Sequence, residues 1–288
     1  MTGPSVIAVI PARNEGQTIA QVVAGARAHC AGVVVVDDAS TDDTSAMADG
    51  SGADVVLLSD RGGYGAAILA GFRFLGPRHV DEIVTLDGDG AHDPAEIPDL
   101  LAAHRAAGAA LTVGDRFSVP EVHLPSSKRW SNYLASRLCR HACGVALADV
   151  ACGFRVYGGG IAAQLVRMPF GGGYAFAYEG IAAVARLGGV VAGAPVSARY
   201  DASTIGATPS GEFLDFIAGL SAMYIRGGAP PYLQALREAV TAADAFTIRM
   251  AGETLCIHRV GDRFLFQAQS PAYADRAAGL VIDVRETS

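Results

Sequence analysis

The stretch IVTLDGDGAHDP (residues 83–94) decides how this chain is read. Ile83 to Leu86 form a short buried strand, and the chain then passes directly into Asp87-Gly88-Asp89. Two carboxylates two residues apart, on a turn eased by glycine, can aim at a common point. Hard divalent cations take oxygen ligands, and Mg2+ or Mn2+ commonly joins one or two carboxylates to substrate phosphates. An Asp-x-Asp alone is frequent by chance. Set directly after a strand and followed by His92-Asp93-Pro94, it is a much sharper signal.

The same edge recurs along the first half. Val6 to Ile10 reads as a buried strand and is followed by Pro11-Ala12-Arg13-Asn14-Glu15. Val33 to Val36, a β-branched run without polar alternation, suits a parallel strand covered on both faces and ends at Asp37-Asp38. Asp54 to Leu58 and Ala109 to Val113 are further strands, the latter ending at Gly114-Asp115-Arg116. Between them lie helical patterns: one with Ile19, Val22, Val23 and Ala26 on its apolar face, one from Tyr64 to Leu75, and one from Pro94 towards Ala107. Asn14 with Gln17 resembles a capping box, and Ser40 or Thr41 can cap the next helix. Strand–helix alternation at this rhythm means an α/β fold with a mostly parallel sheet flanked by helices. Ligands of such sheets bind beyond the carboxyl ends of the strands, where these charged residues stand.

Composition narrows the class. The 288 residues carry a net charge of −7, without the basic stripe of a nucleic-acid binder. Nucleotides stay admissible, because a metal ion and a few arginines supply local positive charge. Five cysteines at irregular spacing read as free thiols in a reducing compartment, and no closed zinc pattern is present. Residues 1–5 have no basic region ahead of an apolar run, and no stretch reaches the ~18 apolar residues that span a bilayer. The expected location is cytoplasmic, at most peripheral to a membrane. Arg61-Gly62-Gly63-Tyr64-Gly65 is no dinucleotide fingerprint: it follows the third strand, and Ile68 stands where a third small residue belongs. Its glycines, Gly65 among them, are expected to let backbone approach a ligand.

VIPARNEG, VVVVDDASTDDT, RGGYGAAILAG and LDGDGAHDP occur in that order. Together they resemble the family 2 glycosyltransferases of the GT-A fold, particularly the dolichyl-phosphate mannose synthase and polyprenyl-phosphate glycosyltransferase branch. DVACGFRVY (149–157), YAFAYEGIAAVARLGG and APVSAR extend the resemblance over residues 5 to 205. It implies a donor pocket lined by Pro11, Arg13 and Glu15, with Val36 and Asp38 at the base or ribose. Asp87 would meet ribose or metal, and Asp89 would ligate Mg2+ or Mn2+. Arg116 and Arg155 would face phosphates, and Arg199 the donor diphosphate. Two departures stand out: Ala91 replaces the glutamine that often adds a metal ligand, leaving that place to water or His92, and Tyr200 to Thr204 replaces a Gly/Ser/Lys-rich stretch.

Breaking an anomeric carbon–diphosphate bond develops negative charge that a cation and arginines stabilise. An in-line attack inverts the sugar. A hydroxyl acceptor needs a base, for which Asp149 and Glu179 are the candidates, with Glu179 alternatively a buried partner of Arg155 or Arg199. A phosphate acceptor needs none. The resemblance implies a polyprenyl phosphate acceptor, with a small-molecule hydroxyl as the soluble alternative. Residues 125–145 present Trp130, Tyr133, Leu134 and Leu138 beside Lys128, Arg129, Arg137 and Arg140, a membrane-facing surface or, more plainly, a packed helix. Residues 1–226 would form the catalytic domain. Residues 227–288 would form a small α+β appendix: a linker at 227–231, a helix from Leu233 to Ala243, and strands at Phe246–Met250, Leu255–Val260 and Arg263–Gln267. Oligomerisation or a lid are its open roles. A sugar nucleotidyltransferase would want a glycine-rich basic loop after the first strand, which PARNEG is not. A non-catalytic binding module would tolerate loss of Asp89.

Overall fold

The structure, a computed structural model, describes residues 4–58, 60–76, 78–119, 144–170 and 173–199, separate positions between 132 and 143, and the strands at 207–209, 245–250, 253–260, 263–268 and 280–283. The fold is α/β. Its main sheet has seven strands: β1 (Val6–Ala12), β2 (Gly32–Asp37), β3 (Asp54–Leu57), β4 (Glu82–Thr85), β5 (Leu111–Asp115), β6 (Arg155–Gly158) and β7 (Val191–Pro195). Their spatial order is β3-β2-β1-β4-β6-β5-β7. All neighbours pair in parallel except β6, which runs against both β4 and β5. The alternation rule anticipated the parallel strands; β6 is the one reversal in an otherwise parallel sheet.

Helices α1 (Ile19–Arg27), α2 (Thr44–Gly50), α3 (Gly63–Leu75), α4 (Ile97–Ala106), α5 (Gly159–Leu165) and α6 (Ala175–Arg186) cover the sheet. The four apolar positions read along α1 are its buried residues. The central strands β1, β2 and β4 are buried almost throughout, as their β-branched runs require. Gly71 of α3 lies so close to β1 and β2 that an added Cβ would stand 3.3 Å from Val36 Cγ2.

Two helix starts differ from the sequence reading. Asn14 caps nothing: it takes φ 57°, and α1 begins at Ile19. Its side-chain oxygen instead accepts the Thr41 amide at 2.8 Å, while its own amide donates to Ser40 Oγ at 3.0 Å. Ser40 and Thr41 are therefore engaged in lacing the β1 and β2 loops, and α2 begins at Thr44 behind Asp43. The competing partner was a loop distant in sequence, which local spacing cannot show. Pro94 does open its helix, through a 3-10 turn capped by the Asp93 carboxylate, which accepts the Ala95 amide at 3.0 Å.

A second, antiparallel sheet has the order β12-β9-β10-β11-β8, from β8 (Ala207–Pro209), β9 (Ala245–Met250), β10 (Glu253–Val260), β11 (Arg263–Ala268) and β12 (Leu280–Asp283). The three strands expected late in the chain are β9, β10 and β11. β8, which precedes residue 226, pairs with β11. The expected helix from Leu233 to Ala243, the linker at 227–231, the stretch Tyr200 to Thr204 and most of the aromatic and basic segment at 125–145 lie outside the described residues. No helix among the described residues is long and apolar enough to cross a membrane.

Candidate active site

The strand order turns at β1: β2 and β3 lie on one side, β4 on the other. At such a switch point the connections leave in opposite directions and open a crevice beyond the strand ends. The β1 loop and the β4 loop border it. They are tied directly, since Thr18 Oγ1 donates to the Gly88 carbonyl at 2.8 Å. The β2 loop joins through the Glu15 amide, which donates to Thr44 Oγ1 at 2.8 Å, and the Gly16 amide, which donates to Asp42 Oδ2 at 3.1 Å.

This lacing crowds carboxylates. Burial pushes the Glu15 carboxyl up to about 7, and the charges of Asp89, Asp42 and Asp87 push it the same way, against a lowering by Thr18. Asp89 is turned by its Oδ1, which accepts the Ala91 amide at 2.9 Å. The Asp87 side chain is 35% exposed, with its Oδ2 3.5 Å from His92 Nε2. Acidic groups that raise one another's proton affinity are relieved by a cation, and their oxygens are the donors that Mg2+ or Mn2+ prefers. Asp87 and Asp89 therefore fit a divalent ion. No three His, Cys, Asp or Glu side chains among the described residues converge to enclose one unaided. That arrangement suits an ion completed by phosphate oxygens and water.

The remaining sequence candidates divide. Pro11 and Arg13 stand at the end of β1, with Arg13 exposed. Val36 pairs with Pro11 across the strands, but its side chain is buried against α3, so only its backbone can face a ligand. Asp38 is nearly sealed, and its two carboxylate oxygens accept the amides of Gly62 (2.6 Å) and Gly63 (2.9 Å). The glycine turn thus presents these amides to the protein's own carboxylate. Gly65 corrects the expectation of close approach to a ligand: its amide donates to the Gly173 carbonyl at 3.0 Å, and a Cβ there would meet Phe176 Cβ at 2.5 Å. Gly65 serves the contact between α3 and α6.

Arg116 and Asp149 form a buried ion pair, with Nη2 to Oδ1 at 2.9 Å. Asp149 Oδ1 also accepts the amides of Ala151 and Cys152, both at 3.1 Å. These donors occupy its carboxylate and turn it inward, the geometry of a loop anchor. Arg155 corrects the expectation of a phosphate contact. It is fully buried, and it donates to the carbonyls of Cys152 (2.7 Å), Ala177 (2.9 Å) and Val150 (2.9 Å). Glu179 sits half-buried on α6. Arg199 is 79% exposed, with Nη2 3.5 Å from Asp93 Oδ2, and its amide donates to the Ala91 carbonyl at 2.8 Å, which brings it to the β4 loop.

Three contributors escaped the sequence reading. Thr18 joins the two loops. Glu96 accepts the Ser197 amide on both oxygens at 3.0 Å and so seats the segment leading to Arg199. Gly153 lies against Asp87, where a Cβ would come within 2.7 Å of Oδ2 and nearer still to Oδ1. Only the glycine carried a signal, standing in a motif beside residues with chemistry.

The fold and this edge define a GT-A glycosyltransferase, and the chain belongs to glycosyl transferase family 2, whose profile matches residues 7–163. It is 35% identical over 162 residues to the undecaprenyl-phosphate mannosyltransferase of Micrococcus luteus, covering 53% of this chain and 65% of that protein. It is 34% identical over 166 residues to the polyprenol monophosphomannose synthase of Mycolicibacterium smegmatis, covering 52% of this chain and 60% of that one. These matches span less than two thirds of either relative. In fold it is similar to glucosyl-3-phosphoglycerate synthase from Mycobacterium tuberculosis, solved in complex with Mg2+ and uridine diphosphate, at TM-score 0.59 and 22% identity, covering 79% of this chain and 81% of that one.

Proposed function

We propose that the chain transfers a hexose, with inversion, from a nucleotide-diphosphate sugar to a polyprenyl phosphate that it meets at a membrane surface. The observation that carries the reading is the crowding of Glu15, Asp87 and Asp89 at the switch point of the sheet. Asp87 and Asp89 would hold Mg2+ or Mn2+ against the donor diphosphate. When bound, the ion would neutralise charge on the departing nucleoside diphosphate.

The chain's own residues supply the rest. Pro11, Arg13 and Glu15 border the nucleotide, and Arg199, carried beside the β4 loop by its amide bond to Ala91, offers a guanidinium to the diphosphate. The names of the two relatives support a polyprenyl phosphate acceptor, and the donors gathered on Asp149 agree with it. A phosphate arrives already nucleophilic, so a carboxylate saturated by donors is no handicap. Glu179 would matter as a base only for a hydroxyl acceptor.

The test is a calorimetric panel of GDP, UDP and dTDP, each with and without Mn2+, followed by transfer from the matching labelled donor to undecaprenyl phosphate. One nucleotide should bind in a metal-dependent way, and label should move into the organic phase. Label transferred only to a water-soluble acceptor would exchange the acceptor class. Binding of none of the nucleotides would overturn the reading.

A further inference from the structure

We propose that His92 is a positioning residue, whose imidazole holds the Asp87 carboxylate in the orientation in which it meets the donor. The inference deepens the transferase reading and rests on it. The His92 side chain is 1% exposed, and its Nε2 lies 3.5 Å from Asp87 Oδ2. Its ring packs at a tilt on Phe154, with centroids 5.4 Å apart.

His92 Nδ1 is buried and finds no hydrogen-bond partner among the described residues. Burying an unmatched polar atom costs about 1–3 kcal/mol. A phenyl ring would fill the same space against Phe154 without that cost. The polar ring therefore answers to something other than packing, and its second nitrogen faces Asp87. A contact of 3.5 Å closes to a full hydrogen bond with a small side-chain shift, as contacts in ligand-free sites do on binding.

Backbone also closes on the Asp87 carboxylate. Gly153 abuts both carboxylate oxygens, and its carbonyl is pinned by Thr85 Oγ1 at 2.8 Å. The carboxylate therefore has a pinned stretch of backbone and an imidazole as neighbours. Groups that orient a carboxylate from behind commonly change affinity or activity about 10–100-fold when removed.

The experiment compares His92→Phe, His92→Gln, Asp87→Asn and the double variant His92→Phe/Asp87→Asn. Each is assayed for binding of whichever of GDP, UDP or dTDP the wild type takes up with Mg2+, for kcat and KM, and for thermal unfolding. His92→Phe should lose about 10–100-fold in nucleotide affinity with its melting temperature maintained. His92→Gln, whose amide nitrogen can stand where Nε2 stood, should recover part of the loss. The double variant should bind no more weakly than Asp87→Asn alone. Wild-type affinity in His92→Phe, additive losses in the double variant, or a loss matched by a fall in melting temperature would each overturn the inference and leave the transferase reading standing. A wild type that binds none of GDP, UDP and dTDP would overturn both.

Discussion

Arg116 grips Asp149 with two nitrogens at once, Nε 2.5 Å from Oδ2 and Nη2 2.9 Å from Oδ1, and both side chains are sealed from solvent. Removing one charge from such a pair leaves the other buried and uncompensated, at a cost of about 3–5 kcal/mol. Asp149→Asn is therefore expected to lower the urea midpoint sharply, with turnover falling in step with the folded fraction. A variant that keeps its midpoint and loses only turnover would restore Asp149 to the reacting atoms.

Arg155 makes a parallel case. Three backbone carbonyls depend on it, and each left unsatisfied costs about 1–3 kcal/mol. Arg155→Met should destabilise the protein by several kcal/mol, on the order of 3–5 after partial relaxation. Equilibrium unfolding measures this directly. Nucleotide affinity per folded molecule should stay near wild type, whereas a residue facing phosphate would show the reverse.

At Gly65 the outcome turns on packing. A methyl group there meets the Cβ of Phe176. Gly65→Ala should cost about 1–3 kcal/mol by forcing α3 from α6. Thermal unfolding with and without nucleotide should show the same ligand-induced increment as wild type, because the glycine serves helix contact.

These three corrections show where the sequence was legible. The buried strands, the α1 face and the acidic edge follow from periodicity and strand ends, which are local. That Asp87, Asp89 and Glu15 lie close together was legible because each follows an apolar strand at one edge of the sheet. The partners of Arg155, Asp149, Asp38 and Gly65 were hidden because a charged or glycine-bearing motif looks alike whether it faces a ligand or a distant backbone group. The partners of Arg155 are three carbonyls, one of them 22 residues away on α6, and nothing in side-chain spacing encodes a carbonyl. The lacing of Asn14 to Thr41 was hidden for the same reason: its partner is 27 residues away, while Gln17 stood conspicuously near.

The pH response of the metal-free protein should carry the mark of Glu15. Its folded value of about 7 lies above the ordinary 4.5, so between those values the folded state binds more protons than the unfolded one. Stability from this group is then fullest below about 4.5 and declines as pH rises towards 7. Relative to wild type, Glu15→Gln should gain stability across that window and hold the gain above it. Urea unfolding in EDTA from pH 4 to 8 tests this. Addition of Mg2+ with nucleotide should move the window downward, since a cation removes the repulsion that helps to create it.

The reversed strand β6 has a consequence for how this scaffold diversifies. Because β6 runs against β5, the chain departs the sheet after Asp115 and re-enters it at Arg155 on one and the same rim, with Gly114 bonded to Phe154 at 2.8 Å across the gap. The chain thus leaves and returns through a closed doorway whose posts belong to the core. The described residues of that excursion are themselves anchored, by the buried Arg116–Asp149 pair and by Cys139 and Val150 in the core, so any change in its length must spare these anchors, although closing a longer loop adds only slowly to its entropic cost.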